Sequence, residues 1–147
     1  MGKDHDRLDQ LFDKFKKSKY KNFLKSIPIF HDFKIGLQRH IVWEENILFP
    51  IFEDKTDMHE EGPITVMKAE HREIKEFLEK IHNKLIKGDI NRFNELESNL
   101  FNTLKAHNEK EENILYPWID NSTTEAERKK LFARMKRIPS ERYDQCC

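Results

Sequence analysis

A sixteen-residue segment occurs twice in this chain. Residues 37–52 read LQRHIVWEENILFPIF and residues 104–119 read LKAHNEKEENILYPWI, identical at eight of sixteen positions. The identities include His40/His107, Glu44/Glu111, Glu45/Glu112 and Pro50/Pro117, at an offset of 67. At an offset of 66, Asp4-His5 corresponds to Glu70-His71. Two unrelated amphipathic hairpins need share an apolar period and nothing more. Polar residues repeated in register mean two copies of one supersecondary unit, each with an acid-His pair followed by a His-x-x-x-Glu. The fold is thereby constrained to two like halves.

Each half reads as a pair of helices. Four glycines in 147 residues and long i, i+3, i+4 apolar patterns favour helix throughout. The first helix is predicted from about Asp4 to Lys17, with Leu8, Phe12 and Phe15 on one side. A lysine-rich turn, Lys16 to Lys25, separates it from a second helix starting near Pro28, with Ser26 as the candidate cap. That helix carries Phe33, Leu37, Ile41, Leu48 and Ile51. After a charged connection from Glu53 to Gly62, Pro63 opens a third helix that ends at Gly88. A fourth begins at Asp89 and uses Leu96, Leu100, Leu104, Leu115 and Trp118. Ser122 with Glu125 reads as a capping box for a short fifth helix, about Thr123 to Lys136. The expected fold is all-α: an up-down-up-down four-helix bundle with a short C-terminal fifth helix, residues 1–138, then a tail, 139–147.

Helical phase places the repeated polar residues inside. At ~100° per residue, His40 and Glu44 lie ~40° apart, on the face that carries Phe33, Leu37 and Leu48. His107 and Glu111 share the stripe of Leu100 and Leu104; His71 lies among Ile64, Met67 and Leu78, and His5 near Phe12. Counted from the helix ends, all six reach one layer to within a few ångströms at ~1.5 Å per residue. Burying four imidazoles and two carboxylates without partners costs several kcal/mol per group. A metal site removes that cost, and nitrogen and carboxylate donors without any core cysteine suit iron, manganese or zinc. The bland alternative is a bundle whose core histidines and glutamates pair with one another. Asp4, Glu45, Glu70 and Glu112 fall ~100–140° off this face, as partners of the imidazoles or as solvated charges.

On these motifs the chain resembles the hemerythrin-like (HHE cation-binding) domains over about residues 4–119. The resemblance implies a non-haem di-iron centre bridged by Glu44, Glu111 and an oxo or hydroxo group. It implies His5 and His40 on one iron, with His71 and His107 on the other. Lys75 stands where oxygen-carrying hemerythrins have a further histidine, and Glu111 lies at +4 where they have His-x-x-x-x-Asp. The pattern is nearer the family's sensing and iron-centre-repair members. The implied function is binding or sensing of O2, NO or iron; the alternative is a di-iron enzyme with peroxidase-like or NO-handling activity, or an iron donor in iron–sulfur centre repair. Storage of iron is a third reading. Whether the protein is an enzyme is left open.

The rest of the chain offers less chemistry. Lys and Arg number 27, as do Asp and Glu, so no net positive field supports nucleic-acid binding. No apolar run approaches the ~18 residues of a membrane span, and a cytoplasmic protein is expected. His31 points ~180° from His40 and reads as a surface residue. His59 falls in the charged connection, and His82 lies ~16 Å along the helix from His71. Cys146 and Cys147 are the last two residues and cannot build a disulfide framework; a reduced flexible tail is expected. Trp43, Phe49, Tyr116 and Trp118 read as core or boundary aromatics, one of which could gate a metal site.

Overall fold

The architecture comes from a computed structural model that describes residues 2–58, 62–89 and 93–143. No strand occurs among them. Helix α1 (Gly2–Lys21) packs against α2 (Phe23–Trp43), which continues through a wide turn (Glu44–Leu48) into α3 (Phe49–Thr56) as one rod. Helix α4 (Pro63–Lys87) pairs with α5 (Phe93–Lys110), which likewise continues through Glu111–Leu115 into α6 (Tyr116–Ser122). Contacts between α2 and α4 join the halves, so four rods form the expected bundle. Helix α7 (Glu125–Arg137) is the short fifth helix. No described helix is long and apolar enough to cross a membrane.

Several boundaries differ from the sequence reading, each for a local reason. Helix α2 begins five residues before Pro28, because Asn22 caps it by accepting from the Lys25 N–H. Ser26 is no cap: it is buried inside the helix, and its hydroxyl donates to the Phe23 carbonyl at 2.5 Å. Pro28 is tolerated on an exposed face, where Leu24, whose carbonyl the proline has no N–H to serve, is exposed as well. The lysine-rich turn is therefore mostly helix, with Lys19 and Lys21 at the negative end of α1. Asp89 does not open α5; its N–H closes the α4 terminus on the Lys84 carbonyl, beside Gly88 at φ 67°. Where α5 starts relative to residues 90–92 lies outside the described residues, as do His59, Cys146 and Cys147.

The capping box of α7 is Thr124 with Glu127, two residues beyond Ser122 and Glu125, because α6 runs on through Ser122. The charged connection shortens too: α3 extends to Thr56 and stops at Asp57, whose φ of 59° is left-handed. Beyond α7 the chain is not featureless, since Ile138 packs on the bundle and Ser140–Arg142 forms a tight helical turn.

Two apolar clusters flank the repeated polar residues. One gathers Phe12, Phe15, Phe30, Phe33, Leu78, Phe93 and Leu100. The other gathers Ile47, Phe49, Met67, Leu115, Leu131 and Met135, which docks α7. Helix α1 comes close to α2 at Gly36, where a Cβ would stand 2.8 Å from Leu8 Cδ2. Leu8 is itself buried and cannot swing aside freely. Gly36→Ala is expected to destabilise the protein by about 1–3 kcal/mol through overpacking, measured by urea unfolding. An unchanged or raised midpoint would show that Leu8 can yield.

Candidate metal centre

The six repeated residues meet in one layer, one histidine from each rod. His5 comes from α1, His40 from α2, His71 from α4 and His107 from α5. Glu44 and Glu111 begin the two wide turns. All six are at most 2% exposed. His31 is half-buried on α2, and His82 is buried further along α4 from His71; neither joins the cluster.

The wide turns have a cause in the repeat. Phe49 N–H reaches back five residues to the Glu44 carbonyl, and Tyr116 N–H does the same to Glu111. In each copy a proline follows, Pro50 or Pro117. A proline has no N–H for the carbonyl four residues back, and its ring would collide with that carbonyl. Opening the turn from i−4 to i−5 relieves the collision, a device found often at functional sites.

The hydrogen bonds obey the same twofold relation as the sequence. His5 Nδ1–H donates to Glu112 at 2.8 Å, and His71 Nδ1–H to Glu45 at 2.9 Å. His40 Nδ1–H donates to Asp4 at 2.9 Å, and His107 Nδ1–H to Glu70 at 3.4 Å. The four flanking acids are thus imidazole partners, each on a different rod from the histidine it serves. A carboxylate only accepts, so it fixes the proton on Nδ1 and turns the Nε2 lone pair inward. There the nitrogens meet in pairs: His5 with His40 and His71 with His107, both at 3.0 Å.

The carboxylates lie between the pairs. Glu44 Oε1 stands 3.3 Å from His40 Nε2 and 3.5 Å from His71 Nε2. Glu111 Oε1 stands 3.0 Å from His107 Nε2 and 3.5 Å from His5 Nε2. These approaches lack hydrogen-bond geometry, which leaves Glu44 Oε1 and both Glu111 oxygens buried without a donor. Two sets of donor atoms close enough to hold an ion result: Glu44, His71, His107 and Glu111, and His5, His40 and Glu111. Nitrogens 3.0 Å apart have the spacing of neighbouring ligands at right angles, ~2.1 Å from one ion. The residues present fit a metal pair.

Electrostatics follow from this crowding. Burial opposes ionisation of Glu44, but His40, His71 and His107 around it hold its carboxyl below the usual range. Against burial, His40 and then Arg7 hold Asp4 down at about 2. Burial likewise opposes protonation of His71, yet Glu44 and Glu45 raise it. His107 is pushed down to about 4 by burial and by the charge on His71. The two imidazoles of that pair are thus driven in opposite directions. Lys75 lends positive charge to Glu45.

Sequence reasoning places Tyr116 only among four aromatics, one of which could gate a metal site, and not in contact with the six repeated residues. The Tyr116 hydroxyl donates to Glu44 Oε2 at 3.1 Å and lies 3.2 Å from His5 Nε2 and 3.1 Å from His40 Nε2. Burial, then the Glu44 charge, pushes its phenol pKa far up, so it stays protonated. Its counterpart Phe49 stacks flat on His71, with centroids 5.4 Å apart. The signal was present as the one aromatic difference, Phe against Tyr, inside the EENIL-x-P match. Straight α-helical phase put both rings ~140° from the glutamates, and the wide turns bring them round.

Comparison with known proteins bears on this geometry. The family model described as Hemerythrin HHE cation binding domain matches residues 1–119. The chain is similar to the iron-sulfur cluster repair protein YtfE of Escherichia coli O157:H7, at 33% identity over 109 residues. That alignment takes in 66% of this chain but 46% of the relative, so the chain spans about half its length. No solved structure matches. Helix α7 lies beyond the family match.

Proposed function

As the chain belongs to the hemerythrin HHE cation-binding family, we propose that the buried cluster holds two iron ions and that the protein binds or senses a small diatomic ligand, O2 or NO, there. His5 and His40 would hold one ion, His71 and His107 the other, with Glu44 and Glu111 shared between them. The observation that carries this reading is the pair of Nε2···Nε2 contacts at 3.0 Å, each pair flanked by carboxylate oxygens without hydrogen-bond donors. Manganese or zinc would suit the same donors. Bound iron would supply redox activity and Lewis acidity toward a small ligand. The protein's own share is to keep water out and to hold each imidazole's tautomer. Tyr116 adds one hydrogen-bond donor on the His5/His40 side. Residues 1–138 are proposed as the working unit, with 139–147 a tail.

The YtfE likeness favours a second reading, in which the iron is donated in iron–sulfur centre repair. The two separate by loading the protein anaerobically with ferrous iron and exposing it to NO, O2 and H2O2, followed by optical and Mössbauer spectroscopy. The first reading expects stoichiometric spectral change with iron retained. Iron lost to an apo-cluster acceptor points to the second, repeated peroxide turnover to an enzyme, and failure to bind iron removes all three. His31→Ala is expected to leave metal content unchanged, because His31 stands outside the cluster.

The carboxylates on the Nδ1 atoms set how tightly metal is held. Replacing Glu112 or Glu45 by glutamine is expected to weaken iron binding ~10–100-fold, the usual effect of losing a ligand's hydrogen-bond partner. Competition with a chelator measures it. Unchanged affinity would mean that packing alone orients His5 and His71.

A further inference from the structure

The halves of the centre differ in how they meet their surroundings. On the His71 side Phe49 is fully buried and lies flat on the imidazole. On the His5/His40 side stands Tyr116, only half-buried. Tyr116 also borders a cavity of about 140 Å³, walled mainly by Leu48, Ile119, Leu131, Phe132 and Met135, with Gly2, Asp120 and Arg128 completing its lining. Tyr116 is the member common to this lining and to the histidine–carboxylate cluster. Leu131, Phe132 and Met135 belong to α7, which lies outside the family match. Helix α7 is held in place by Trp43, whose indole N–H donates to the Met135 carbonyl at 3.2 Å.

We propose that this cavity is an entry route for small uncharged molecules to the His5/His40 half of the centre, with Tyr116 as its gate. The proposal rests on the metal-centre reading above. Size and polarity select the traffic. A water molecule takes ~30 Å³ of liquid, so the cavity admits about four or five small molecules, and its aliphatic walls offer water few partners away from Asp120 and Arg128. A diatomic gas needs no hydrogen bonds and loses nothing there, whereas an ion would lose its hydration. The Tyr116 hydroxyl is tied to Glu44, which holds the ring across the inner end. Rotation of that ring opens the path, and a phenylalanine ring without the tether would rotate more readily. On the opposite half Phe49 covers His71, so the two halves of the pseudo-symmetric site differ in what lies over them.

The test has two arms. In metal-free protein carrying 13C-methyl methionine, dissolved O2 is expected to relax the Met135 methyl more strongly than that of Met67, which is equally buried but lines no part of the cavity. Equal relaxation overturns the route. In ferrous-loaded protein, stopped-flow association of NO and of O2 is compared among wild type, Met135→Trp, the milder Leu131→Phe and, as a control, the distant exposed Ile86→Trp. The two cavity-filling variants are expected to slow association by ~10-fold with iron content unchanged, and Ile86→Trp to leave it alone. Tyr116→Phe is expected to quicken it. Iron that loads and reacts at wild-type rates in both filled variants overturns the route and leaves the metal reading standing; an unchanged or slower rate in Tyr116→Phe overturns the gate. If iron does not load, the metal reading fails and methyl relaxation alone decides the cavity.

Discussion

Glu111→Gln is expected to cut iron uptake at the centre by at least ~100-fold in affinity, more than loss of an outlying hydrogen-bond partner. The change keeps the shape of the side chain and removes its charge. Glu111 Oε1 faces one imidazole of each pair, at 3.0 and 3.5 Å, and neither oxygen has a donor to satisfy it. An amide in that place offers one weaker acceptor and one N–H2, and the latter cannot ligate a cation. Glu44→Gln acts alike, since Glu44 Oε1 also faces both pairs. Metal content per chain after gel filtration, with chelator competition, measures the effect. A purely structural carboxylate would behave otherwise: the glutamine variant would load normally and unfold more easily. If both variants still take up two ions per chain, sharing of the ions by Glu44 and Glu111 is wrong.

The repeat made most of this site readable from the residues. Identity at polar positions, at offsets 67 and 66, named six side chains, and helical phase turned them inward. Phase was less useful for Asp4, Glu45, Glu70 and Glu112. At ~100–140° from the inner face such residues border both solvent and the neighbouring rod, so their role depends on the helix beside them. In the bundle each lands on the Nδ1 of a histidine from another rod, which no single-helix argument could place.

Two kinds of feature escaped for physical reasons. Helix starts were misplaced where a single side chain decides. Asn22, not Ser26, has its oxygen on a free N–H in the first turn of α2, that of Lys25, and Thr124, not Ser122, does so for α7 at Glu127. Both pairs of candidates suit a cap by composition, and backbone conformation chooses between them. The wide turns escaped because a fixed period of 3.6 was carried through Pro50 and Pro117 as though neither mattered. Each proline forces one extra residue into the turn before it, which resets the phase downstream. That reset is what delivers Tyr116 and Phe49 to the centre. Proline after each His-x-x-x-Glu is therefore part of the cluster's construction, and the Phe49/Tyr116 difference between the copies becomes its asymmetry.

Stripping the metal is expected to lower the unfolding midpoint by about 8–16 °C. A metal bound to the folded state at ~1,000 times its dissociation constant stabilises by ~4 kcal/mol. In a chain of roughly 150 residues each kcal/mol is worth ~2–4 °C. The metal-free centre has reason to be weak. Its imidazole nitrogens face one another at 3.0 Å in both pairs, and His107 is held down at about 4 by burial and the charge on His71. Buried oxygens of Glu44 and Glu111 meet no donor. The loss has a predicted location as well. The phenylalanine-rich cluster of Phe15, Phe30, Phe33 and Phe93 holds its end of the bundle without help from the centre. The other cluster hangs on the two wide turns that begin at Glu44 and Glu111, and α7 docks there. Chelation is expected to raise amide exchange most in residues 44–56, 111–122 and 125–137, and least around Phe30 and Leu78. A midpoint unmoved by removing metal shown to have been bound would mean that the cluster is rigid by packing alone; exchange spread evenly along the chain would deny the division into a metal-independent and a metal-dependent end.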